Sequence, residues 1–347
     1  MVQHIGNDPE GQGGIASVIR NTLAIFSEQS SKGLLAQNLV SYNQSEPSRL
    51  RRQIYAVQTL LRFSISRRPD LVHVHLSNRG SLLREGAFLC VARLRRIRAT
   101  VTVHGSGFVR PSRPTLIATA LIVRCANLVH VLDKSYIVTL RLPIAKTVVV
   151  PNFVHVDTCL ATDARSNTIV FVGEVGYRKG IDLLLKAWSV LEADPALKDW
   201  ELTIVGPLTE FGEATIKASA LDRVRLMGPR SNDDARRIIR DSQILVQPSR
   251  AEAFPISVCE ALGSGCAVIG TEVGGMSSLL RESGQVCVNA EHSDLANAIR
   301  NVAANTEYRR ELMRSGWKYA TSHLSAEVVG ALWLNLYEQQ ICLEPSS

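Results

Sequence analysis

Short apolar runs alternate with longer amphipathic stretches along most of the chain. An apolar run of about four to eight residues bounded by turn residues is typical of a buried strand, and the stretches between the runs have the spacing of helices. This alternation predicts an α/β fold built on parallel sheets. The first series of predicted strands comprises residues 2–5, 34–40, 71–74, 100–103, 128–132 and 147–150. The second series comprises residues 168–172, 201–205, 224–227, 244–247, 267–271 and 284–288.

A polar segment, residues 157–167, separates the two series and suits a linker between domains. We therefore predict an N-terminal domain over residues 1–160 and a C-terminal domain over residues 161–326. The remaining residues, 327–347, begin with the apolar spacing of an amphipathic helix. A chain of 347 residues is long enough for two domains with ordinary cores.

The composition is that of a folded and reduced protein. Apolar residues make up 46% and charged residues 20%, which is typical of globular chains. The seven cysteines form no C-x-x-C pair, so neither a disulfide framework nor structural zinc is predicted. The first residues lack the apolar core of a signal peptide, and Arg124, Asn127 and His130 interrupt the longest apolar stretch. These features predict a cytoplasmic location.

The formal net charge of +7 is unevenly distributed. Residues 1–160 carry 20 Lys and Arg against 8 Asp and Glu, a balance of +12, whereas residues 161–347 carry 19 against 24, a balance of −5. No zinc finger, RNP motif or aromatic-basic stripe accompanies the basic half, so we predict no nucleic-acid partner. An anionic membrane surface fits better, because each basic residue held close to it contributes about 1 kcal/mol.

A helix predicted over residues 48–66 carries an apolar face with arginines at both ends. Two interpretations are open: this face packs into the core and leaves a basic surface, or it lies on a membrane. The apolar face comprises Leu50, Ile54, Val57, Leu61 and Ile65, and the arginines are Arg49, Arg51, Arg52, Arg62, Arg67 and Arg68. A second basic group, Arg93, Arg95, Arg96 and Arg98, favours the membrane hypothesis.

The segment 248–262 carries the most informative motif. Glu252 and Glu260 have seven residues between them and follow a predicted buried strand. Proline suits the first turn of a helix, so Pro255 marks the start of the helix that carries Glu260. Such an N-terminus is electropositive and offers backbone N–H groups to phosphate, while the two carboxylates can accept hydroxyl hydrogens from a sugar and a ribose. A solvated loop glutamate with a helix-stabilising one is the alternative, but the combination indicates a nucleotide-sugar site.

Arg178 and Lys179 stand just before a helix predicted from Ile181, where the helix dipole disfavours cations. They are either exposed basic residues or cations for a ligand. Two cations beside a departing nucleoside diphosphate would stabilise the charge that grows in the transition state and would replace a divalent metal there. Because the chain also lacks a D-x-D triplet, we predict no metal and no other cofactor.

Three histidines lie at or near the ends of predicted strands. His104 precedes Gly105 at a carboxyl strand end, where ligands bind in open α/β sheets, although a structural histidine is also common there. His73 and His75 are two residues apart and share one face of a strand, which could suit a metal pair. The sequence places no third ligand, so we interpret them as structural.

These segments together resemble the retaining glycosyltransferases of family 4, whose signature is E-x7-E. The matching segments follow in order: Gly13-Gly14, residues 70–75, 100–106 and 148–152, Gly173 with residues 178–180, and residues 224–228. The resemblance implies the GT-B fold of two facing Rossmann-like domains with a deep cleft between them. It also implies an acceptor side on the first domain, nucleotide-sugar binding by the second, and a terminal helix that crosses back to the first.

The resemblance implies a metal-independent, retaining hexosyltransferase-type enzyme that uses a nucleotide-diphosphate sugar. Catalytic roles fall to His104, Glu252 and Lys179: His104 near the reacting sugar, Glu252 on its hydroxyls and Lys179 on the diphosphate, while Glu260 would bind the ribose. The other implied donor-binding residues are Gly13, Gly14, Gly173, Arg178, Phe254, Pro255 and Ile256. The Gly11–Ala16 match to a dinucleotide fingerprint is weak, because no acidic residue ends the second predicted strand.

The acceptor implied is a saccharide or a lipid-linked saccharide of bacterial surface polysaccharide synthesis, with the protein peripheral on the inner face of the cell membrane. Two alternatives stay open: a nucleotide-sugar epimerase on the same fold, and a catalytically silent subunit that only binds. The chain departs from the family pattern at Ala253 and Pro255, where glycines are common, and at Glu174, where an arginine is common. The departures at Ala253 and Pro255 leave the choice of donor open, whereas the one at Glu174 implies that the diphosphate depends more on Arg178 and Lys179.

Overall fold

The computed structural model describes residues 1–11, 14–28, 35–43, 46, 48–77, 80–158, 160, 165–219 and 221–342, and within them two six-stranded parallel sheets. The chain divides into unit 1, Met1–Phe153 with Ala326–Ser347, and unit 2, Val154–Ser325. The division falls before the predicted boundary at residue 160. The reason is that Val154 bridges to Ser325, and its N–H donates to the Leu324 carbonyl, which ties the start of the predicted linker to unit 2.

Unit 1 contains one sheet in the order β2-β1-β3-β4-β5-β6. Its strands are β1 (Val2–Asn7), β2 (Ala36–Tyr42), β3 (Leu71–Leu76), β4 (Arg98–Val103), β5 (Leu128–Val131) and β6 (Thr147–Val149). The intervening helices are α1 (Gly14–Glu28), α2 (Arg49–Ile65), α3 (Gly80–Leu94), α4 (Arg113–Ile122) and α5 (Ser135–Thr139). β3 and β4 are almost entirely buried, as expected for parallel strands covered on both faces.

Unit 2 contains the second sheet, in the order β12-β11-β10-β7-β8-β9. Its strands are β7 (Ser166–Val172), β8 (Glu201–Val205), β9 (Val224–Gly228), β10 (Ser242–Gln247), β11 (Ala267–Thr271) and β12 (Val286–Val288). Its helices are α6 (Ile181–Leu191), α7 (Glu210–Ser219), α8 (Asn232–Asp241), α9 (Ile256–Gly263), α10 (Gly274–Glu282), α11 (His292–Ala304) and α12 (Thr306–Tyr319). This is the Rossmann strand order. β7, β8 and β9 follow one another toward one edge of the sheet, and β10, β11 and β12 toward the other, so the strand order reverses between β7 and β10.

The last helix, α13 (Ala326–Cys342), contacts α1 and β3 of unit 1. Trp333 and Tyr337 are buried in a core cluster that also contains Val2 and Phe26. In unit 2 the corresponding core surrounds Trp188 of α6 and Phe171 of β7, both fully buried. The α/β prediction is therefore confirmed, and every predicted strand is present, with the second starting at Ala36 and the last at Val286. Leu34, the predicted start of the second strand, lies outside the described residues.

Helix α2 turns its apolar face away from the core. Ser48 caps its N-terminus by accepting the Arg51 N–H at 3.2 Å, as the polar start of the segment suggests. The buried side chains are Ala56, Thr59 and Phe63, on the opposite face from the predicted one. Leu50, Ile54, Val57, Leu61 and Ile65, which we call the α2 stripe, are 47% to 88% exposed. The core-facing interpretation of this stripe is wrong, because helical spacing identifies an apolar face but not what covers it.

Arg95 of the second basic group has a structural role. Its guanidinium donates to the Phe63 and Ser66 carbonyls at the end of α2 and lies 5.4 Å from the Phe63 ring centroid. These contacts attach α2 to the turn after α3, so Arg95 does not belong to a free basic surface. Among the described residues, no helix is both long and apolar enough to cross a membrane.

Candidate active site

The loops that follow β7 and β10 meet where the strand order of unit 2 reverses, the usual ligand position in such sheets. Two glycines shape the loop after β7. Gly173 has a φ of +150° and Gly180 a φ of +73°, conformations that side chains disfavour. A Cβ on Gly180 would lie 1.9 Å from the Pro248 carbonyl oxygen, so any other residue would push the loops apart. The family-implied Gly173 therefore has a backbone role at this site.

Lys179 and Glu252 form an ion pair at the meeting point of the two loops. The Lys179 Nζ lies 2.5 Å from the Glu252 Oε1, and both side chains are largely buried, at 12% and 8% exposure. Arg178 is more exposed, and its Nη1 lies 3.5 Å from the same carboxylate oxygen. Its Nη2 lies 3.8 Å from Glu174, the residue that departs from the family pattern. The structure thus joins three predicted site residues, Arg178, Lys179 and Glu252, in one charged group.

The Glu252 carboxylate is held by a short polar chain that sequence reasoning missed. The Ser249 hydroxyl donates to Glu252 Oε1 at 2.9 Å and accepts from Gln247 Nε2 at 2.8 Å. Gln247 Oε1 accepts from the Ser257 hydroxyl of α9 at 3.0 Å. Glu252 is therefore preorganised by both the end of β10 and the start of α9. The position of Ser249, shortly before Glu252 in the motif, was the one available signal.

A second pair of residues that the sequence did not identify clamps the loops together. The Arg250 guanidinium bonds the Asp182 carboxylate through two contacts of 2.7 Å and donates to the Tyr177 carbonyl at 2.6 Å. Burial alone would raise the pKa of Asp182, but the hydrogen bonds and charge of Arg250 outweigh it and hold that pKa below its usual value. Arg250 and Asp182 are far apart in sequence, so no local pattern predicts their pairing.

Helix α9 presents an uncapped N-terminus beside this charged group. It begins at Ile256, and Pro255 is the N-cap rather than the first helical residue, with a φ of −72° and a ψ of 120°. The side chain of Pro255, the N-cap residue, accepts no hydrogen bond from the first-turn N–H groups, which suits this end for an anionic ligand. Pro255 has no N–H, so its predicted contact with a diphosphate has to be a van der Waals contact and not a hydrogen bond. Phe254 and Pro255 are buried, and Ile256 is partly exposed.

Glu260 lies on α9 with its carboxyl unpaired. No hydrogen bond or ion pair of this carboxyl occurs among the residues that the structure describes. Burial raises the pKa of Glu260 to about 7, against a smaller opposing effect of the Arg236 charge. A carboxyl with a strongly shifted pKa and no partner of its own is typical of a ligand site. The two glutamates of the motif thus lie four residues before and four residues after the first residue of α9; Glu252 is ion-paired, and Glu260 has no partner among the described residues.

In unit 1, His104 is buried and follows β4, as predicted. Its Nε2 lies 3.0 Å from His75 Nδ1, and His75 Nε2 lies 3.0 Å from His4 Nδ1. Burial lowers the pKa of His104 to about 3, so the imidazole is neutral. The structure also supplies the neighbour that the sequence did not place: the ring nitrogens of His4, His73 and His75 lie within 4.8 Å of one another. His73 bonds Tyr337 and Thr102 through its two nitrogens.

The predicted glycine loop lies only partly within the described residues. Gly13 lies outside the described residues, and Gly14 is the exposed first residue of α1. Their implied role in donor binding stays a prediction.

Comparison with known families matches residues 166–305 to the family of glycosyl transferases group 1. A D-inositol 3-phosphate glycosyltransferase of Salinispora arenicola is 27% identical over 195 residues, which are 52% of this chain and 43% of the relative. One subunit of the human phosphatidylinositol N-acetylglucosaminyltransferase is 34% identical over 121 residues, 34% of this chain and 25% of the relative. The chain thus spans less than half the length of these curated relatives.

Solved structures agree over nearly the whole chain. A sucrose-phosphate synthase of Thermosynechococcus elongatus superposes with a TM-score of 0.79 at 19% identity, over 97% of this chain and 98% of that one. The Anabaena protein HepE, solved with UDP and glucose, gives a TM-score of 0.75 at 13% identity, over 98% and 100%. The fold is therefore GT-B. Residues 166–305 of unit 2 match the group 1 glycosyl transferases, and the family resemblance identified from the sequence is confirmed at that level.

Proposed function

We propose that this protein is a retaining, metal-independent glycosyltransferase that moves a sugar from a nucleotide-diphosphate sugar to an acceptor. One observation carries the proposal: Lys179 pairs with Glu252 four residues before the uncapped start of α9, and that helix carries Glu260, whose buried carboxyl has no partner among the described residues. Cations, free N–H groups and carboxylates match the diphosphate, the sugar and the ribose of such a donor. The UDP bound in the HepE structure is consistent with this class of ligand.

In the proposed complex, each part of the donor has its own partner in unit 2. The diphosphate binds the first-turn N–H groups of α9 together with Lys179 and Arg178. Glu252 accepts hydroxyl hydrogens of the sugar, and Glu260 accepts those of the ribose. Because Lys179 pairs with Glu252 in the free protein, the diphosphate competes for that cation, and this competition frees a carboxylate oxygen for the sugar.

The chemical step builds negative charge on the departing diphosphate. Preorganised cations and N–H groups stabilise this charge more than they stabilise the ground state, which lowers the barrier. Retention, implied by the family resemblance, requires the acceptor oxygen to attack the anomeric carbon on the face that the diphosphate leaves. The new C–O bond forms as the bond to phosphate breaks, and the acceptor proton passes to the departing diphosphate oxygen.

A panel of UDP, GDP and ADP tests the proposal directly. At a concentration 100-fold above its dissociation constant, the cognate nucleotide should add about 2.7 kcal/mol to the free energy of unfolding. We expect one nucleotide to raise the melting temperature well above the other two. NMR of the product made from the matching nucleotide-sugar should then show the anomeric configuration of the donor. No shift with any nucleotide, or an inverted product, would overturn the proposal.

Metal independence predicts that transfer continues in excess EDTA. Lys179 and Arg178 supply the positive charge that a divalent metal supplies in other nucleotide-sugar sites, so chelation should leave the rate unchanged. The rate of nucleotide release is the measurement, with and without EDTA. A rate that falls on chelation and returns with magnesium or manganese would contradict the cation assignment.

Nucleotide affinity should depend on the protonation of Glu260. Its pKa of about 7 in the free protein should fall on binding, because ribose hydroxyls stabilise the ionised carboxylate. Affinity should therefore be constant well above pH 7 and weaken below it, by up to about tenfold for each pH unit. Isothermal titration of the cognate nucleotide across this range measures the slope.

Glu260→Gln provides the control for this titration, because glutamine has a similar shape and does not ionise. The titration of the nucleotide itself is common to both proteins, so only the difference between their slopes reports Glu260. Equal slopes would show that this carboxyl does not meet the nucleotide.

We further propose that unit 1 binds an anionic membrane surface and that the acceptor is a lipid-linked saccharide of a bacterial surface polysaccharide, which places the protein on the inner face of the cell membrane. The exposed α2 stripe supports this proposal, because an apolar helix face between basic ends suits the headgroup region of a bilayer. Arg49, Arg51, Arg62, Arg67 and Arg68 are all exposed near its ends. The +12 balance of residues 1–160 adds attraction of the same sign.

A further inference from the structure

A row of buried polar side chains crosses the sheet of unit 1 beneath α13. The strand register pairs His4 with His73, and it aligns His75 with Thr102 and then with His130. Residues paired in this way, and residues two apart on one strand, point to the same face of a sheet. Trp333 stacks on His130 at 4.5 Å between ring centroids, and Tyr337 bonds His73. Imidazoles therefore occupy a face that would otherwise be apolar core.

Two of these imidazoles and His104, which follows β4, form a hydrogen-bonded chain, His4–His75–His104, with both N···N distances at 3.0 Å. Burial lowers the pKa of His4 and His104 to about 3, and burial with neighbouring histidines lowers that of His75 well below its usual value. A neutral imidazole has one N–H and one lone pair. A ring that accepts a hydrogen bond at one nitrogen carries its proton on the other nitrogen and donates it to the following ring. All hydrogen bonds between the three histidines therefore run in one direction.

The end of the chain at His4 decides the direction. His4 Nε2 is buried and has no hydrogen-bond partner among the described residues. A buried N–H without a partner is rarer than a buried acceptor without one, so the proton of His4 belongs on Nδ1. His4 Nδ1 then donates to His75 Nε2, and His75 Nδ1 donates to His104 Nε2. The remaining proton of His104 consequently lies on Nδ1.

We infer that His75, oriented by His4, is a positioning residue that holds His104 in the Nδ1–H tautomer. His104 Nδ1 has no partner among the residues described, so a ligand can accept its hydrogen. His104 then offers a neutral donor to a ligand oxygen and does not act as a base. The inference rests on the proposed function in one respect: the ligand of His104 is a substrate of sugar transfer. A non-basic His104 agrees with the acceptor proton passing to the diphosphate.

Histidine ¹⁵N NMR of the whole protein at pH 7, without donor, tests the tautomer. The His104 signals are those missing from the spectrum of His104→Gln. The parent should show His104 as a single Nδ1–H tautomer. His75→Phe keeps an aromatic ring but removes the donor, so His104 should become a mixture of tautomers. His75→Asn places an amide N–H near the position of Nδ1 and should restore the single tautomer.

His130→Phe is the matched control. His130 is buried on the same face, but neither of its nitrogens has a partner among the described residues. The phenyl ring should keep the stacking on Trp333 and leave the His104 tautomer and the transfer rate as in the parent. In His75→Phe, kcat should fall about 10- to 100-fold with little change in KM, because a misaligned contact acts mainly in the transition state. His75→Asn should recover most of that loss.

Two NMR results would overturn the inference: an Nε2–H tautomer of His104 in the parent, or an unchanged tautomer in His75→Phe. The parent spectrum still tests the tautomer of His104 if His75→Phe does not fold. Stoichiometric zinc in the purified protein would also overturn it, because zinc would take the lone pairs that join His4 and His75. The NMR needs no donor, so a protein with the expected tautomer but no nucleotide binding would refute the proposed function and leave the positioning role standing.

Discussion

Lys179→Ala and Glu252→Gln are each expected to lower kcat for sugar transfer by about 100- to 1,000-fold, the usual effect of removing one preorganised charge contact. The Lys179 Nζ lies 2.5 Å from the carboxylate of Glu252, which precedes by four residues the start of α9, where the diphosphate is proposed to bind. Glutamine at position 252 retains an acceptor for the Ser249 hydroxyl, so the loop should keep its shape. Steady-state kinetics with the cognate donor measures the loss.

The exposed ion pair of Lys217 and Glu213 on α7 provides the control for this test. Exposed pairs contribute at most about 1 kcal/mol, so Lys217→Ala and Glu213→Gln should leave both activity and folding near those of the parent. The double variant at positions 179 and 252 should lose less than the product of the two single losses, because the residues contact each other. Single variants with nearly parental activity would remove both residues from the site.

Substituting the α2 stripe should abolish most of the membrane binding. The triple variant Leu50→Gln, Ile54→Gln and Leu61→Gln removes exposed apolar side chains. The helix should tolerate these changes, because glutamine has a high helix propensity. Each buried methylene contributes about 0.8 kcal/mol, so partition onto vesicles with anionic lipid should fall by at least about 100-fold. Co-sedimentation over a range of lipid concentrations measures the partition coefficient.

Two exposed apolar residues of unit 2, Val190 and Leu226, provide the matched control. Their replacement by glutamine should leave vesicle binding as in the parent. The triple variant should retain the melting temperature and nucleotide affinity of the parent, because the stripe is exposed and lies in unit 1. Salt should weaken binding of the parent, since exposed charges are screened over about 10 Å at 0.1 M. Equal sedimentation of the parent and the triple variant would refute the membrane proposal.

The sequence predicted the sheets well because buried parallel strands leave a direct record in composition. A strand covered on both faces is rich in apolar residues, as in residues 71–74 of β3 and 244–246 of β10, and turn residues mark its ends. The positions of Glu252 and Glu260 in a loop and in the following helix could also be predicted, because the segment between them covers only one loop and one helical turn. The glycine at position 180 belongs to the same class of local information, since its left-handed conformation is needed in the turn before α6.

Helix α2 shows where local information ends. Its spacing predicted the apolar face correctly, but the alternative that buried this face was wrong. The core instead accepts Ala56 and Phe63, and Arg95 from a distant turn fixes the end of the helix. Periodicity describes one element at a time, whereas burial depends on which other elements pack against it.

By itself, then, the sequence determined the α/β class, the strand positions, the E-x7-E motif and the charge of each half. Tertiary structure alone decided that Lys179 pairs with Glu252, that Arg250 clamps Asp182, and that His4 joins His75 and His104. Each of these contacts joins residues on different strands, loops or helices. Strand order brings them together, and strand order is set by packing of the whole sheet rather than by any pattern within one segment.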